Sequence, residues 1–126
     1  MANILVADDD AHVRALATEI LEAERHRVVV AVNGLQAFQL FEDQGPWDVI
    51  VTDLHMPVLD GLGLIRAMAH RPAAVPVPVI LVSGDPTALG IQEAFAALAK
   101  PIQREELVTA VDAALLYRSC KAWLKP

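Results

Sequence analysis

One cysteine, Cys120, is all the chain has. An internal disulfide is therefore excluded, and a reducing compartment is the matching environment. Cys120 itself reads as a small apolar residue on the last helix. Basic residues are scarce too: ten Lys and Arg against sixteen Asp and Glu leave a formal charge of -6. Phosphate backbones need positive surface, so the charge argues against direct nucleic-acid binding, and against an anionic membrane surface with it. Long apolar runs are missing. No stretch approaches the ~20 residues of a membrane span, and the most apolar one, "AAVPVPVILVSG", carries two prolines. The opening "MANILVADDD" lacks the basic segment and long apolar run of a secretory leader. There is no second domain, internal repeat or low-complexity segment in the 126 residues. One cytoplasmic domain spanning 1–126 is the expectation.

Apolar residues are abundant, at 55%, enough for a substantial core. They fall into two alternating patterns. "ILVA" (4–7), "RVVVAV" (27–32), "DVIVTD" (48–53) and "VILVS" (79–83) are short, β-branched and nearly continuously apolar. Such runs fit strands covered on both faces, as in a parallel sheet. "AALA" (96–99) is a fifth strand by position more than by propensity. Between the strands lie helical spacings. Val13, Leu16, Ala17, Ile20 and Leu21 share one face, with Arg14, Glu19 and Glu22 turned away. Leu35, Phe38 and Phe41 repeat every three residues, as do Leu62, Ile65 and Met68. Leu107, Val108, Val111 and Leu115 mark a last helix that continues toward Trp123. "HRPAAVPVPV" (70–79) reads as a rigid proline-rich loop. The order is (βα)5, and right-handed crossovers make it an open, doubly wound α/β sheet.

In such sheets, sites form beyond the carboxyl ends of the strands. There the sequence places Asp8, Asp9 and Asp10 after strand 1, Asp53 after strand 3, Ser83 at strand 4 and Lys100 after strand 5. Taken singly, each has an ordinary explanation. Asp10 fits a helix N-cap. Ser83 and Lys100 alone mean nothing, and "DG" at 60–61 is a turn and helix-start signal. Taken together, an acid pair, an acid, a hydroxyl and a lysine on four strand ends form a constellation. If strands 1 and 3 are neighbours, Asp8, Asp9 and Asp53 crowd one pocket. At about 4 Å, each pair of carboxylates repels by roughly 4 kcal/mol at an effective dielectric of 20. Protons or a cation must relieve this. A hard, oxygen-lined site with few protein ligands suits Mg2+, which keeps waters and accepts phosphate oxygens. A carboxylate beside it can attack a phosphoryl group. Lys100 and Ser83 would then hold the remaining phosphoryl oxygens.

These residues resemble the receiver domain of two-component response regulators. The resemblance rests on "ILVADDD", "AVNGLQAF", "DVIVTDLHMPVLDG", "VILVSG" and "AKPI", and covers nearly the whole chain. It implies a flavodoxin-like sheet in the order 2-1-3-4-5. It implies that Asp53 accepts a phosphoryl group from a histidine kinase or phosphotransfer protein and so changes the binding of a downstream protein. Asp9, Asp53 and the backbone carbonyl of His55 would ligate Mg2+, with Asp8 acting through water. Ser83 and Lys100 would contact the phosphoryl oxygens, the Lys100–Pro101 bond would be cis, and Gly84 would leave room for the donor. His55 and Asp85 are read as pointing to solvent; the other reading has them reach the phosphoryl group and tune its lifetime.

The chain departs from the family in one region. Receivers commonly carry Tyr or Phe three residues before the strand-5 lysine, where this chain has Ala97. Phe95 shares a face with Ala97 if the strand is regular. The segment from Ser83 to Lys100 is short by about one helical turn, so the fourth helix is expected to be stunted, over Thr87 to Ala94. A homodimer through the face of helix 4, strand 5 and helix 5 is a further expectation from the family. Two other functions compete. An aspartate-nucleophile phosphohydrolase would carry a second aspartate where this chain has His55. A phosphorylation-independent interaction module would not need the intact Asp53, Ser83 and Lys100 set. The initial Met favours an N-terminal or free-standing receiver, and His55 in place of that second aspartate counts against an enzyme.

Overall fold

A computed structural model describes residues 1–71 and 76–124. Five parallel strands, β1 (Asn3–Ala7), β2 (Arg27–Ala31), β3 (Val49–Thr52), β4 (Val79–Ser83) and β5 (Ala96–Ala99), form one sheet in the order β2-β1-β3-β4-β5. The expected order and strand positions hold. The helices are α1 (Ala11–Ala23), α2 (Gly34–Gln44), α3 (Gly61–Ala69) and α4 (Arg104–Leu124), so the last helix does run past Trp123. None of these helices is long and apolar enough to cross a membrane.

Strand residues alternate between two cores, as period-two geometry requires. Ile4, Val6, Val49, Val51, Ile80 and Val82 pack under α1 and α4. Leu5, Ala7, Ile50, Val79 and Leu81 pack under α2 and α3. With both faces buried, a strand needs apolar residues at every position, which explains the unbroken runs. Helix starts are fixed by side-chain caps. Asp10 accepts from the His12 N–H at 2.8 Å, Asn33 from Gln36 at 2.8 Å and Asp60 from Gly63 at 2.7 Å. Each satisfies an orphan amide of a first turn.

The connection from β4 to β5 corrects the expected fourth helix. Instead of an α-helix over Thr87–Ala94 there is a 3-10 turn, Pro86–Gly90, capped by Asp85. The register explains why. Ser83 pairs with Ala99 and Ile80 with Ala96, so the chain must return about three residues along the sheet, roughly 10 Å. A helix rising 1.5 Å per residue would use about seven residues for that and leave few for the two turns. Gly90 also disfavours helix. The chain takes one tight turn and then runs irregularly, with Ile91 and Ala94 packed on the α2/α3 side.

Smaller expectations also change. Leu16 and Leu35 are 40% and 45% exposed, at the edges of their helices' apolar faces. Arg14 does not turn away: its guanidinium donates to the Asp8 carbonyl at 2.8 Å. Phe95 and Ala97 lie on opposite sides of the sheet, because Phe95 sits in the bend before β5 and does not follow the strand's alternation. Phe95 instead packs on Tyr117 of α4, ring centres 5.2 Å apart. Cys120 is on the last helix but exposed. Of the proline-rich loop 70–79, residues 72–75 lie outside the described residues. The Lys100–Pro101 bond is cis, as is Gly45–Pro46.

Candidate functional site

The carboxyl ends of the central strands position the polar residues through the backbone. The Asp53 N–H donates to the Ala7 carbonyl at 2.9 Å, the Asp8 N–H to Ala31 at 3.2 Å and the Lys100 N–H to Ser83 at 3.0 Å. Each residue is thus held one step beyond its strand by a continuation of the sheet's own hydrogen bonding. Carboxylate oxygens of Asp8, Asp9 and Asp53 all lie within 4.8 Å of one another. Asp8 and Asp53 are buried, whereas Asp9 is exposed.

The cation that relieves their repulsion is Lys100. Its Nζ lies 2.9 Å from Asp8 Oδ2 and 3.0 Å from Asp53 Oδ2. Burial pushes the Asp8 carboxyl above its usual range; the Asp10 N–H and Lys100 only partly offset this, and the charge of Asp53 adds to it. Burial alone would lower the Lys100 ammonium, but hydrogen bonds to Asp8 and Asp53 reverse that and leave it raised. Asp8 Oδ1 takes the Asp10 N–H at 2.9 Å, and Asp53 Oδ1 takes the His55 N–H at 3.3 Å. Ser83 is buried, and its hydroxyl accepts from the Asp85 N–H at 3.1 Å. The pocket's donor set, three carboxylates with one ammonium among them, has the hard-oxygen chemistry of a divalent-cation site.

Two close approaches shape the pocket wall. A Cβ on Gly61 would meet the Asp53 carbonyl oxygen at 2.3 Å, so only glycine lets α3 start so near the end of β3. A Cβ on Gly84 would meet nothing within 4 Å, which leaves the Ser83 side of the mouth open.

The structure brings together Asp8, Asp9, Asp53 and Lys100 as the sequence suggested, with Ser83 on the adjoining strand end. His55 and Asp85 do not project separately into solvent. They bond each other, Nε2 to Oδ2 at 2.6 Å, and join the β3–α3 connection to the β4–β5 connection. Sequence reasoning missed this pair, the Arg14 contact and the buried Thr52, whose hydroxyl donates to the Asp53 carbonyl at 3.0 Å. Arg14 had a signal: it stands on the first turn of the helix that Asp10 caps. The His55–Asp85 pair had none, since the two residues are 30 positions apart on irregular segments.

Comparison with known proteins agrees with this geometry. The family model described as the response regulator receiver domain matches residues 4–112. The transcriptional regulatory protein PrrA of Mycobacterium tuberculosis is 36% identical over 122 residues, which is 94% of this chain and 52% of PrrA. Protein-glutamate methylesterase/protein-glutamine glutaminase 5 of Myxococcus xanthus is 38% identical over 90 residues, 70% of this chain and 26% of that protein. The chain thus spans about a quarter to a half of the length of these curated relatives. Among solved structures, a response regulator receiver domain protein from Clostridium thermocellum superposes with a TM-score of 0.85 at 28% identity, covering 95% of this chain and 98% of that one. TrrA from Thermotoga maritima, solved in complex with Mg2+-BeF, gives a TM-score of 0.81 at 26% identity, covering 91% and 100%. Fold, strand-end constellation and family match coincide, and the chain belongs to the response regulator receiver domain family of two-component signalling.

Proposed function

We propose that Asp53 is the phosphoryl acceptor of a signalling switch, and that its phosphorylation changes what the domain binds. One observation carries the reading. Asp53 directly follows β3 as a 7% exposed carboxylate, grouped with Asp8 and Asp9 and paired with the Lys100 ammonium. A buried acid so arranged is expensive as structure and suited to phosphoryl transfer, which needs mainly positioning and charge neutralisation.

An Asp53 carboxylate oxygen attacks phosphorus. The bond from phosphorus to the donor atom breaks, and its electron pair leaves with the donor. That atom is an imidazole nitrogen in a phosphohistidine protein, or a carboxylate oxygen in acetyl phosphate. The product is an aspartyl phosphate. Lys100 moves from Asp53 Oδ2 to a phosphoryl oxygen, and the Ser83 hydroxyl donates to another. Asp9, Asp53 and the His55 carbonyl would hold Mg2+, with Asp8 acting through water. Mg2+ bound there supplies positive charge to the phosphoryl oxygens. The Mg2+-BeF complex of the Thermotoga protein supports this choice of ion. The partners that fit are a histidine kinase or phosphotransfer protein as donor and a downstream protein as target, in the cytoplasm. The phosphohydrolase reading has less support, because His55 stands where the acid would be and is engaged by Asp85.

Acetyl phosphate with Mg2+ should add one phosphoryl group to the wild type and none to Asp53→Asn, read by intact mass. Undiminished labelling of the variant would sink the assignment.

A further inference from the structure

Arg14 reaches the backbone of the acid cluster and, among the described residues, bonds no carboxylate. Arg66, Arg71, Arg104 and Arg118 each pair with an Asp or Glu side chain. Arg14 instead donates from its guanidinium to the main-chain carbonyl of Asp8 at 2.8 Å. Its own N–H donates to the Asp10 carbonyl at 3.1 Å, in the first turn of α1. The side chain thus reaches back from that turn and closes the β1–α1 connection. Guanidinium groups suit carboxylates, which offer charge and two acceptors at once. A neutral carbonyl as partner leaves the acids' oxygens free.

The contact bears most on Asp9. Asp8 is held at its N–H by Ala31 at 3.2 Å, and at its carboxylate by the Asp10 N–H and by Lys100, both at 2.9 Å. Asp53 is held at its N–H by Ala7 at 2.9 Å, and at its carboxylate by the His55 N–H at 3.3 Å and by Lys100 at 3.0 Å. Asp9 is exposed, and among the described residues its carboxylate takes no hydrogen bond. The backbone alone places it. The Asp8 carbonyl and the Asp9 N–H belong to one planar peptide. A donor that fixes the direction of that carbonyl fixes the plane from which Asp9 starts.

We propose that Arg14 is a positioning residue for Mg2+: its bond to the Asp8 carbonyl orients the Asp8–Asp9 peptide so that the Asp9 carboxylate is aimed at the ion in advance. This rests on Asp9 and Asp53 being the ligands. Two effects of the guanidinium oppose each other. Its charge works against a second cation nearby. Its hydrogen bond orders a ligand that the ion would otherwise have to order on arrival. The second effect prevails, so loss of Arg14 weakens Mg2+ binding instead of tightening it.

The test is a Mg2+ titration of the full chain at constant ionic strength, read from the amide NMR shifts of Asp9 and His55. Arg14→Met keeps the stem and removes the donor and the charge. It should raise the Kd about tenfold, the lower end for partners of metal ligands. Arg14→Lys, which keeps a charged donor, should fall between it and the wild type. Arg66→Met removes an equal charge from the exposed pair with Glu93 and should leave the Kd unchanged or slightly lower. Melting in EDTA separates the roles. A residue that only tied α1 to β1 would lower the metal-free melting temperature and leave the Kd of the folded protein alone. An unchanged or lower Kd in Arg14→Met, with the wild type binding Mg2+, would overturn this proposal by itself. If the wild type binds no Mg2+, or Asp9→Ala binds it equally well, the metal reading of the pocket falls and takes the role of Arg14 with it.

Discussion

The floor and the rim of the pocket are built differently. The floor is Asp8, Asp53, Ser83 and Lys100, each at or one step beyond a strand end and locked by sheet-like hydrogen bonds. The rim is His55, Val58, Asp85 and Leu89, on two connections with no regular structure beyond one 3-10 turn. Floor side chains are buried or paired with buried partners, so few substitutions fit. Rim side chains meet mainly solvent and one another. The floor's chemistry therefore follows from the fold, while the rim is where this chain can differ from other receivers without disturbing the sheet.

The two regions meet at Gly61, and a substitution there is the most severe test of their separation. A Cβ would sit 2.3 Å from the Asp53 carbonyl oxygen, which is backbone and cannot rotate away. Either α3 shifts or the end of β3 does. Gly61→Ala should lose about 3 kcal/mol, the upper part of the usual overpacking range. It should appear as a lower urea midpoint with an unchanged slope. A loss under about 1 kcal/mol would mean that the rim gives way and does not constrain the floor.

Within the floor, Lys100 is the joint. Lys100→Met keeps the stem but leaves Asp8 and Asp53 facing each other without a cation. Removing one partner of a fully buried pair costs about 3–5 kcal/mol. Lys100 is 24% exposed on its side chain, so water softens this, and about 2 kcal/mol is expected in the absence of Mg2+. Adding Asp8→Asn should restore most of it, since the coupling is between charges in contact. If the double variant is as unstable as the sum of the singles, repulsion is not what Lys100 relieves.

How much of this was legible in the sequence follows the same division. A polar residue directly after a short apolar run must land at a strand end, so Asp53 and Lys100 could be placed by counting. Neighbouring strands then brought Asp8 and Asp9 to Asp53. The role of Lys100 as the bridge between Asp8 and Asp53 was not legible, because spacing says where a side chain starts and not where its charge rests. The α-helix expected over Thr87–Ala94 came from the family pattern shortened by one turn, and the structure has only the 3-10 turn Pro86–Gly90 there. What decided was the distance back to Ile80, a tertiary constraint. Phe95 was assigned to a face by a period that had not yet begun at that residue. The positive φ at Val58 had no signal either, as valine is among the residues least suited to it.

The smallest effect belongs to the rim's ion pair, and it is read better by titration than by stability. The hydrogen bond to Asp85 raises the pKa of His55 above its ordinary 6.5, with the charges of Asp85 and Asp53 adding to it. Asp85 is pulled from 3.8 down to about 2, first by His55 and then by the Thr87 N–H. A base whose folded pKa is raised stabilises the fold below its unfolded value and loses that contribution as pH rises through the folded one. An acid whose pKa is lowered stabilises above its unfolded value and loses that as pH falls through the folded one. The pair is therefore at full strength between 3.8 and 6.5. Both side chains are reached by water and salt, so removing the pair should not move a denaturation midpoint beyond error. Asp85→Asn should keep the cap on Thr87, because asparagine caps as well as aspartate. It should bring the His55 pKa, followed by NMR of the imidazole proton, back toward 6.5. Adding salt to the wild type should move it the same way by less. A His55 titration that is unchanged in Asp85→Asn would mean that the two connections are not joined in solution, and that the rim is two independent loops around a fixed floor.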